Sequence, residues 1–114
     1  MANFFKGLLR ANSKANIVGD LEGPAADVNK GRLTVSMEKG KCIAWAVGHD
    51  DIELSKNTVK SYQKISSDIT VKDIPSGGGK LYKVNIYRIE MKDGKTGTLR
   101  LLVGNEYKVI DAIS

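Results

Sequence analysis

The sequence predicts a mainly β domain, with helices only at the two ends of the chain. Short segments in which apolar and polar residues alternate recur along it, and turn residues separate them. One long stretch rich in β-forming residues, 80–91, is followed by Asp93 and Gly94, a favoured hairpin turn. The 114 residues suit one hydrophobic core better than two. We therefore expect a single β domain over residues 15–114, preceded by an amphipathic helix over residues 1–14.

The first predicted hairpin turns at residues 38–41. Before this turn, Leu33, Val35 and Met37 alternate with polar residues, which is the pattern of a half-buried strand. The strand after the turn, residues 42–47, is apolar on both faces, as is typical of a strand that is central in its sheet or covered on its second face. Its only tryptophan, at position 45, is expected to anchor the core.

Three further strands are predicted before the Gly-rich segment at residues 77–79. Alternation or β-branched residues mark them at residues 52–54, 58–65 and 69–71. By contrast, residues 15–30 contain two glycines and a proline, and they show no clear first strand.

The strongest local prediction is the hairpin in which residues 80–91 pair with a returning strand that contains Leu99 and Leu101. Within residues 80–91 the apolar positions change phase by one residue, between Ile86 and Tyr87. A β-bulge or a strongly coiled strand produces such a shift, and both occur where a sheet closes on itself.

Two structures are consistent with the C-terminus. Gly104 and Asn105 form the turn of another hairpin, or Asn105 caps a short helix with one broad apolar face. We favour the helix because Asp111 and Ala112 are poor strand residues.

Four stretches carry a family resemblance: GRLTV at 31–35, DIEL at 51–54 leading to Val59, the MKDGK turn at 91–95, and EYKVI at 106–110. Their order resembles that of bacterial pleckstrin-homology-like domains, over roughly residues 31–113. The resemblance implies a strongly bent antiparallel sheet, or partly open barrel, closed by a C-terminal helix. It also implies a family that binds rather than catalyses.

A candidate interaction surface lies in the first fourteen residues. At about 100° per residue, four apolar residues fall in one helical sector and three basic residues on the other side: Phe4, Phe5, Leu8 and Leu9, and Lys6, Arg10 and Lys14. A helix this short is marginally stable alone, so we expect it to pack on the sheet or on a second copy of the chain. Binding to an anionic membrane surface is the alternative for the same helix.

A second basic segment spans residues 80–100, where six bases stand against two acids. Five of the bases are candidate anion contacts: Lys80, Lys83, Arg88, Lys95 and Arg100. Because bases are grouped in two segments of a chain with net charge +5, a local anionic contact is favoured over general nucleic-acid binding. Tyr82 and Tyr87 lie among these bases, as stacking residues do in single-strand binders, but their opposite parity places them on opposite faces of a strand.

Motifs for catalysis or metal binding are weak. Gly94, Lys95 and Thr96 look like the end of a phosphate-binding loop, but the glycine required five residues earlier is missing and a strand, not a helix, follows. His49 lies beside two aspartates, yet the chain has no second histidine and one thiol, Cys42. We therefore expect no catalytic residue, cofactor or metal site, and no small-molecule substrate is indicated.

These observations predict a non-catalytic binding or scaffold module that acts through protein contacts or self-association. Peripheral binding to anionic membranes is the first alternative, and a small nucleic-acid-binding protein is the second. A lone cysteine cannot form an internal disulfide, and no apolar run approaches the length of a membrane span, so we expect a cytoplasmic protein.

Overall fold

Seven antiparallel strands form one strongly curled sheet, a half-barrel, whose inner face is covered by a short C-terminal helix. The computed structural model describes residues 16–26, 31–73 and 79–114. The strands follow the order β4-β3-β2-β1-β7-β6-β5, so β4 and β5 are the two edges of the sheet. The elements are β1 Asn16–Glu22, a 3-10 turn Pro24–Ala26, β2 Arg32–Glu38, β3 Lys41–Trp45, β4 Ile52–Leu54, β5 Val59–Asp73, β6 Gly79–Met91, β7 Thr96–Leu102 and α1 Glu106–Ile113.

Strand β1 lies in the middle of the sheet, although the sequence shows no clear strand there. It pairs with β2 and with β7, and its ladder with β2 has a register shift between Ile17 and Gly19. A Cβ atom at Gly19 would collide with the backbone carbonyl oxygen of Arg100. The glycine that obscures the strand pattern is therefore the residue that lets β1 approach β7 closely.

The predicted hairpin between residues 80–91 and the strand that follows is confirmed. Strands β6 and β7 pair without a register shift. Around their loop, the Met91 N–H donates to the Lys95 carbonyl oxygen at 2.8 Å, and the Gly94 N–H donates to the Met91 carbonyl oxygen at 2.9 Å. Gly94 has a φ of +93°, which is the left-handed position that a three-residue hairpin loop requires.

The bulge predicted within residues 80–91 lies instead in the neighbouring strand. In β5 the register shifts between Lys64, which pairs with Tyr87, and Ser66, which pairs with Ile86. The apolar phase changes at this point because β6 buries Val84 on the outer face of the sheet and Tyr87 on the inner face. A strand that is covered on different faces at its two ends thus produces the same pattern as a bulge.

Strand β5 is longer than expected. The sequence predicts two strands, at residues 58–65 and 69–71, but Val59–Asp73 is one continuous strand of 15 residues. Its partner β6 has 13 residues, so the two form a long hairpin that extends past the end of β7.

The helix favoured for the C-terminus is confirmed as α1. Its Val109 and Ile113 side chains are buried in the main core with residues of the inner face such as Leu99 and Leu101. Asn105 precedes the helix as predicted, but its side chain makes no capping hydrogen bond. The amphipathic helix predicted over residues 1–14 lies outside the described residues.

Trp45 is buried, but on the outer face rather than in the main core. Its Nε1–H donates to the Ser36 hydroxyl at 2.8 Å, and Ser36 is fully buried. Strand β3 itself lies between β2 and β4, so it is an interior strand next to one edge of the sheet.

Candidate functional site

The β5 edge of the sheet is long and open. Every residue from 60 to 69 is exposed, and the other side of β5 is paired with β6 along its length. The opposite edge, β4, has only three residues and so offers little to a further strand. Proteins usually shorten or cover exposed edges because unpaired backbone groups bind other chains. A 15-residue edge is therefore the feature of this fold most suited to contact with another chain.

The direction of the backbone groups along β5 follows from its neighbour. The Lys83 carbonyl oxygen accepts a hydrogen bond from the Val103 N–H, and the Met91 N–H donates to the Lys95 carbonyl oxygen. Both bonds lie on the β7 side of β6, so odd-numbered residues of β6 point their N–H and C=O groups away from β5. Residues of β5 opposite those positions point their own groups to the open edge. Within the exposed run from 60 to 69 these residues are Tyr62, Lys64, Ser67 and Ile69.

Charges protect part of this edge. The Lys60 ammonium lies 3.6 Å from the Glu90 carboxylate, and the Ile69 N–H donates to Asp68 Oδ1 at 2.7 Å. Lys64 makes no ion pair with any residue that the structure describes. The stretch from Tyr62 to Ser67 thus keeps outward backbone donors together with the positive charge of Lys64.

A polar network joins this edge to the helix across the inner face. The Ser67 hydroxyl donates to Asn85 Oδ1 at 2.8 Å, and Asn85 Nδ2 donates to Glu106 Oε1 at 2.7 Å. The Tyr87 hydroxyl donates to Glu106 Oε2 at 2.7 Å. Both carboxylate oxygens of the first helical turn are therefore held by β6.

A second contact ties the edge strand to the end of the helix. The Tyr62 and Ser114 hydroxyls are 2.8 Å apart, and the rings of Tyr62 and Tyr87 are tilted with centroids 6.2 Å apart. Burial, and then the hydrogen bond to Glu106 and the charge of that carboxylate, raise the pKa of Tyr87 to about 12. Tyr87 consequently stays protonated and continues to donate to Glu106 throughout the neutral range.

A groove of about 380 Å³ opens beside the network. It is lined by Ser67, Asp68, Ile69, Lys83, Asn85 and Val103. Ile69 and Val103 are about half exposed, and Lys83 makes no ion pair with a described residue. The inner side of this hairpin thus combines apolar side chains with the positive charge of Lys83.

The candidate anion contacts do not share one face. Arg88 and Arg100 lie on the outer face of the neighbouring strands β6 and β7, while Lys83 lies on the inner face. Lys95 is in the loop between those strands, and the side chain of Lys80 is outside the described part of the chain. The structure therefore brings only Arg88 and Arg100 near each other among the described members of this set.

Arg100 belongs to an ion network that reduces its value as an anion contact. Its guanidinium lies 3.5 Å from the Asp20 carboxylate and 3.0 Å from that of Glu22. Arg32 lies 3.2 Å from Asp20. Two arginines therefore face two carboxylates across β2, β1 and β7, an arrangement that needs the unpredicted strand β1.

The remaining candidates are Cys42 and His49. Cys42 is buried, and this burial raises the pKa of its thiol to about 12. The His49 Nδ1–H donates to the Asp50 carbonyl oxygen at 2.6 Å. Among the residues with described positions, no three His, Cys, Asp or Glu side chains are grouped as a metal site.

The first candidate surface, carried by Phe4, Phe5, Leu8, Leu9, Lys6, Arg10 and Lys14, lies outside the described residues. Sequence reasoning missed the network of Ser67, Asn85 and Glu106. One signal was present, because Asn85 interrupts the apolar series that continues at Tyr87, Ile89 and Met91 with a period of two.

Comparisons with protein families, curated proteins and solved structures find no match to this chain. Within the described ranges, no helix has the length and apolar character needed to cross a membrane. The description of function therefore depends on the geometry of the sheet edge and of the inner face beside it.

Proposed function

We propose that this protein is a non-catalytic binding module that adds an extended segment of a partner protein to the open edge of β5. The observation that carries the proposal is the run of exposed edge residues from 60 to 69, in which Tyr62, Lys64 and Ser67 direct backbone groups outward. Strand addition of this kind obtains affinity from main-chain hydrogen bonds and specificity from alternate side chains.

The charge at this edge indicates the chemistry of the partner. Lys64 and Lys83 both lie on the inner face and have no ion-pair partner among the described residues. A bound segment with acidic side chains on that face would be complementary to them, which favours fast association and correct register more than raw affinity. The partner is therefore an extended, acidic protein segment.

The fold supports the same class of function. A curled antiparallel sheet with a C-terminal helix on its inner face supports the pleckstrin-homology-like assignment, and that family binds rather than catalyses. The helix also anchors the edge, because Tyr62 of β5 contacts Ser114 directly after α1. A rigid edge loses less conformational entropy when a segment binds.

The experiment uses a phage-displayed library of random 12-residue peptides as the probe, followed by binding measurements on synthetic copies of the selected peptides. Lys64→Pro removes an outward N–H without removing a hydrogen bond to β6. Lys64→Ala keeps that N–H and removes only the charge, so it is the matched control. We expect selected acidic peptides to lose binding to K64P and to retain much of it with K64A, at unchanged melting temperature of both variants.

Backbone amide shifts on peptide addition should centre on residues 60–69. Selected peptides that bind K64P as well as the original protein would contradict strand addition. A dimer of the unmodified protein that K64P converts to a monomer would also contradict the proposal, because a second copy would then occupy the edge.

A further inference from the structure

The groove on the inner face of the β5–β6 hairpin lies directly beside the proposed binding edge. Ser67 and Ile69 of β5 form its near wall, and Lys83 of β6 and Val103, just after β7, form its far wall. The Val103 N–H donates to the Lys83 carbonyl oxygen at 3.0 Å, so the two residues of the far wall are neighbours. A side chain of an added strand that leans across the near wall therefore enters the groove.

Ser67 provides the opening for such a side chain. Four residues of the exposed run direct backbone groups to the open edge and side chains to the inner face, and serine is the smallest of them: Tyr62, Lys64, Ser67 and Ile69. A residue placed opposite Ser67 in an added strand has its Cβ about 5 Å from the Ser67 Cβ, on the same face. The floor of the groove at Asn85 is one strand further, about 10 Å from the added strand in all. Only a large side chain at this position fills that distance.

The groove is wide enough for such a side chain, and its walls are apolar. Its volume is about 380 Å³, which accommodates one of the large aromatic side chains. Ile69 is 58% exposed and Val103 is 49% exposed. A ring between them would remove apolar surface of both residues from water, which is favourable.

The polar groups of the groove select among the aromatic side chains. The Ser67 hydroxyl uses its hydrogen on Asn85 Oδ1, so its lone pairs can only accept a further hydrogen bond. The Asp68 carboxylate, which also lines the groove, accepts as well. Lys83 is exposed and brings a cation to the far wall. An indole ring matches this set, because its N–H donates without accepting and its face attracts a cation more strongly than the faces of the other aromatic rings.

We propose that the groove binds a tryptophan side chain of the segment added at β5, at the position opposite Ser67. This inference rests on the proposed strand addition and describes the partner more closely, as an extended acidic segment with a tryptophan on its inner-facing side. Lys83 stays accessible to an acidic side chain of the same segment. Its ammonium has three donors, and the ring covers only the side that faces the groove.

The first test titrates indole into the full chain and follows the methyl signals of Ile69 and Val103 by NMR. Indole has no peptide backbone, so it tests the groove independently of strand addition. We expect these signals to shift at mM indole, and we expect 1-methylindole, which keeps the ring and lacks the donor, to bind about fivefold more weakly. Lys83→Gln removes the cation and should weaken indole binding about threefold.

A pair of valine variants supplies the matched control. Val103→Ser removes an apolar wall of the groove and should weaken indole binding. Val47→Ser should leave it unchanged, because Val47 is similarly exposed, at 44%, and lies after β3 in another part of the sheet. Both positions are exposed, so we expect both variants to keep the melting temperature of the original protein. Equal affinity for indole and 1-methylindole, or unchanged indole binding in Val103→Ser, would overturn the proposal.

The second test uses the 12-residue peptides selected for binding to the protein. We expect tryptophan to recur in those peptides that lose binding to K64P, and replacement of that tryptophan with leucine to lower affinity at least roughly tenfold. Nuclear Overhauser contacts should join its indole ring to the Val103 methyl groups. Peptides that are sensitive to K64P but bind without a tryptophan near Val103 would overturn this inference and leave strand addition standing. Indole binding in the groove without any K64P-sensitive peptide would instead overturn strand addition.

Discussion

The Tyr87 hydroxyl donates to the Glu106 carboxylate at 2.7 Å and so joins the middle of β6 to the first turn of α1. Asn85 bonds the other oxygen of the same carboxylate. The helix has eight residues, too few to be stable by itself. Its position therefore depends on this clamp and on the burial of Val109 and Ile113.

Replacing Tyr87 with Phe should destabilise the protein by about 1.5–3 kcal/mol, the usual contribution of one hydrogen bond to a charged group. The ring and its packing are retained, so the loss reports the bond to Glu106. Urea unfolding followed by the fluorescence of Trp45 measures the change in the free energy of unfolding. Tyr107→Phe is the control, because Tyr107 is 58% exposed, and its midpoint should not move.

Stability should fall in alkaline solution. The pKa of Tyr87 is raised from its usual 10.0 to about 12 in the folded protein, so the folded state keeps a proton that the unfolded chain releases. The associated stabilisation is complete below pH 10 and is lost as the pH rises towards 12. Ultraviolet titration of the folded protein should show a late-titrating tyrosine, and that group should be missing from Tyr87→Phe.

Two glycines in the sheet should not tolerate a side chain. A Cβ at Gly97 would lie 2.9 Å from the Ala25 Cβ, where the 3-10 turn packs on β7, and we expect Gly97→Ala to cost about 1–3 kcal/mol. Gly19→Ala should lower the free energy of unfolding further, because its Cβ would collide with a backbone carbonyl oxygen, which cannot rotate away as a side chain can. The denaturant midpoints of the two variants show which substitution destabilises the protein more. Equal midpoints would contradict the close approach of β1 to β7.

Cys42 should be inert in the folded protein. Burial raises the pKa of its thiol from 9.0 to about 12, so almost no thiolate forms near neutral pH. A thiol reagent such as DTNB should react stoichiometrically in denaturant and very slowly without it. Rapid reaction under native conditions would show that β3 opens locally or that the side chain is accessible.

The elements with local signals were predictable. The turn residues Asp93 and Gly94 predicted the hairpin of β6 and β7, and the apolar periodicity around Val109 predicted α1. Both signals act within a few residues along the chain. Such elements do not depend on knowing the rest of the fold.

Features that depend on distant pairing were not predictable. Strand β1 is recognisable only from its pairing with β7, in which Gly19 lies against the backbone of Arg100, about eighty residues later. The same distance separates Arg100 from its carboxylates, so its pairing has no mark in the local sequence. The edge position of β5 was also hidden, although Lys60 and Lys64 are the kind of charges that edge strands carry.

The unequal edges of the sheet limit its growth. Any chain added at β5 meets 15 residues of backbone, whereas β4 offers three. If two copies joined through β5, both remaining edges would be the short β4 edges, and the symmetric pair would be closed to further addition. The fold therefore presents one edge that can pair with another strand, and the short second edge does not support growth into a fibre.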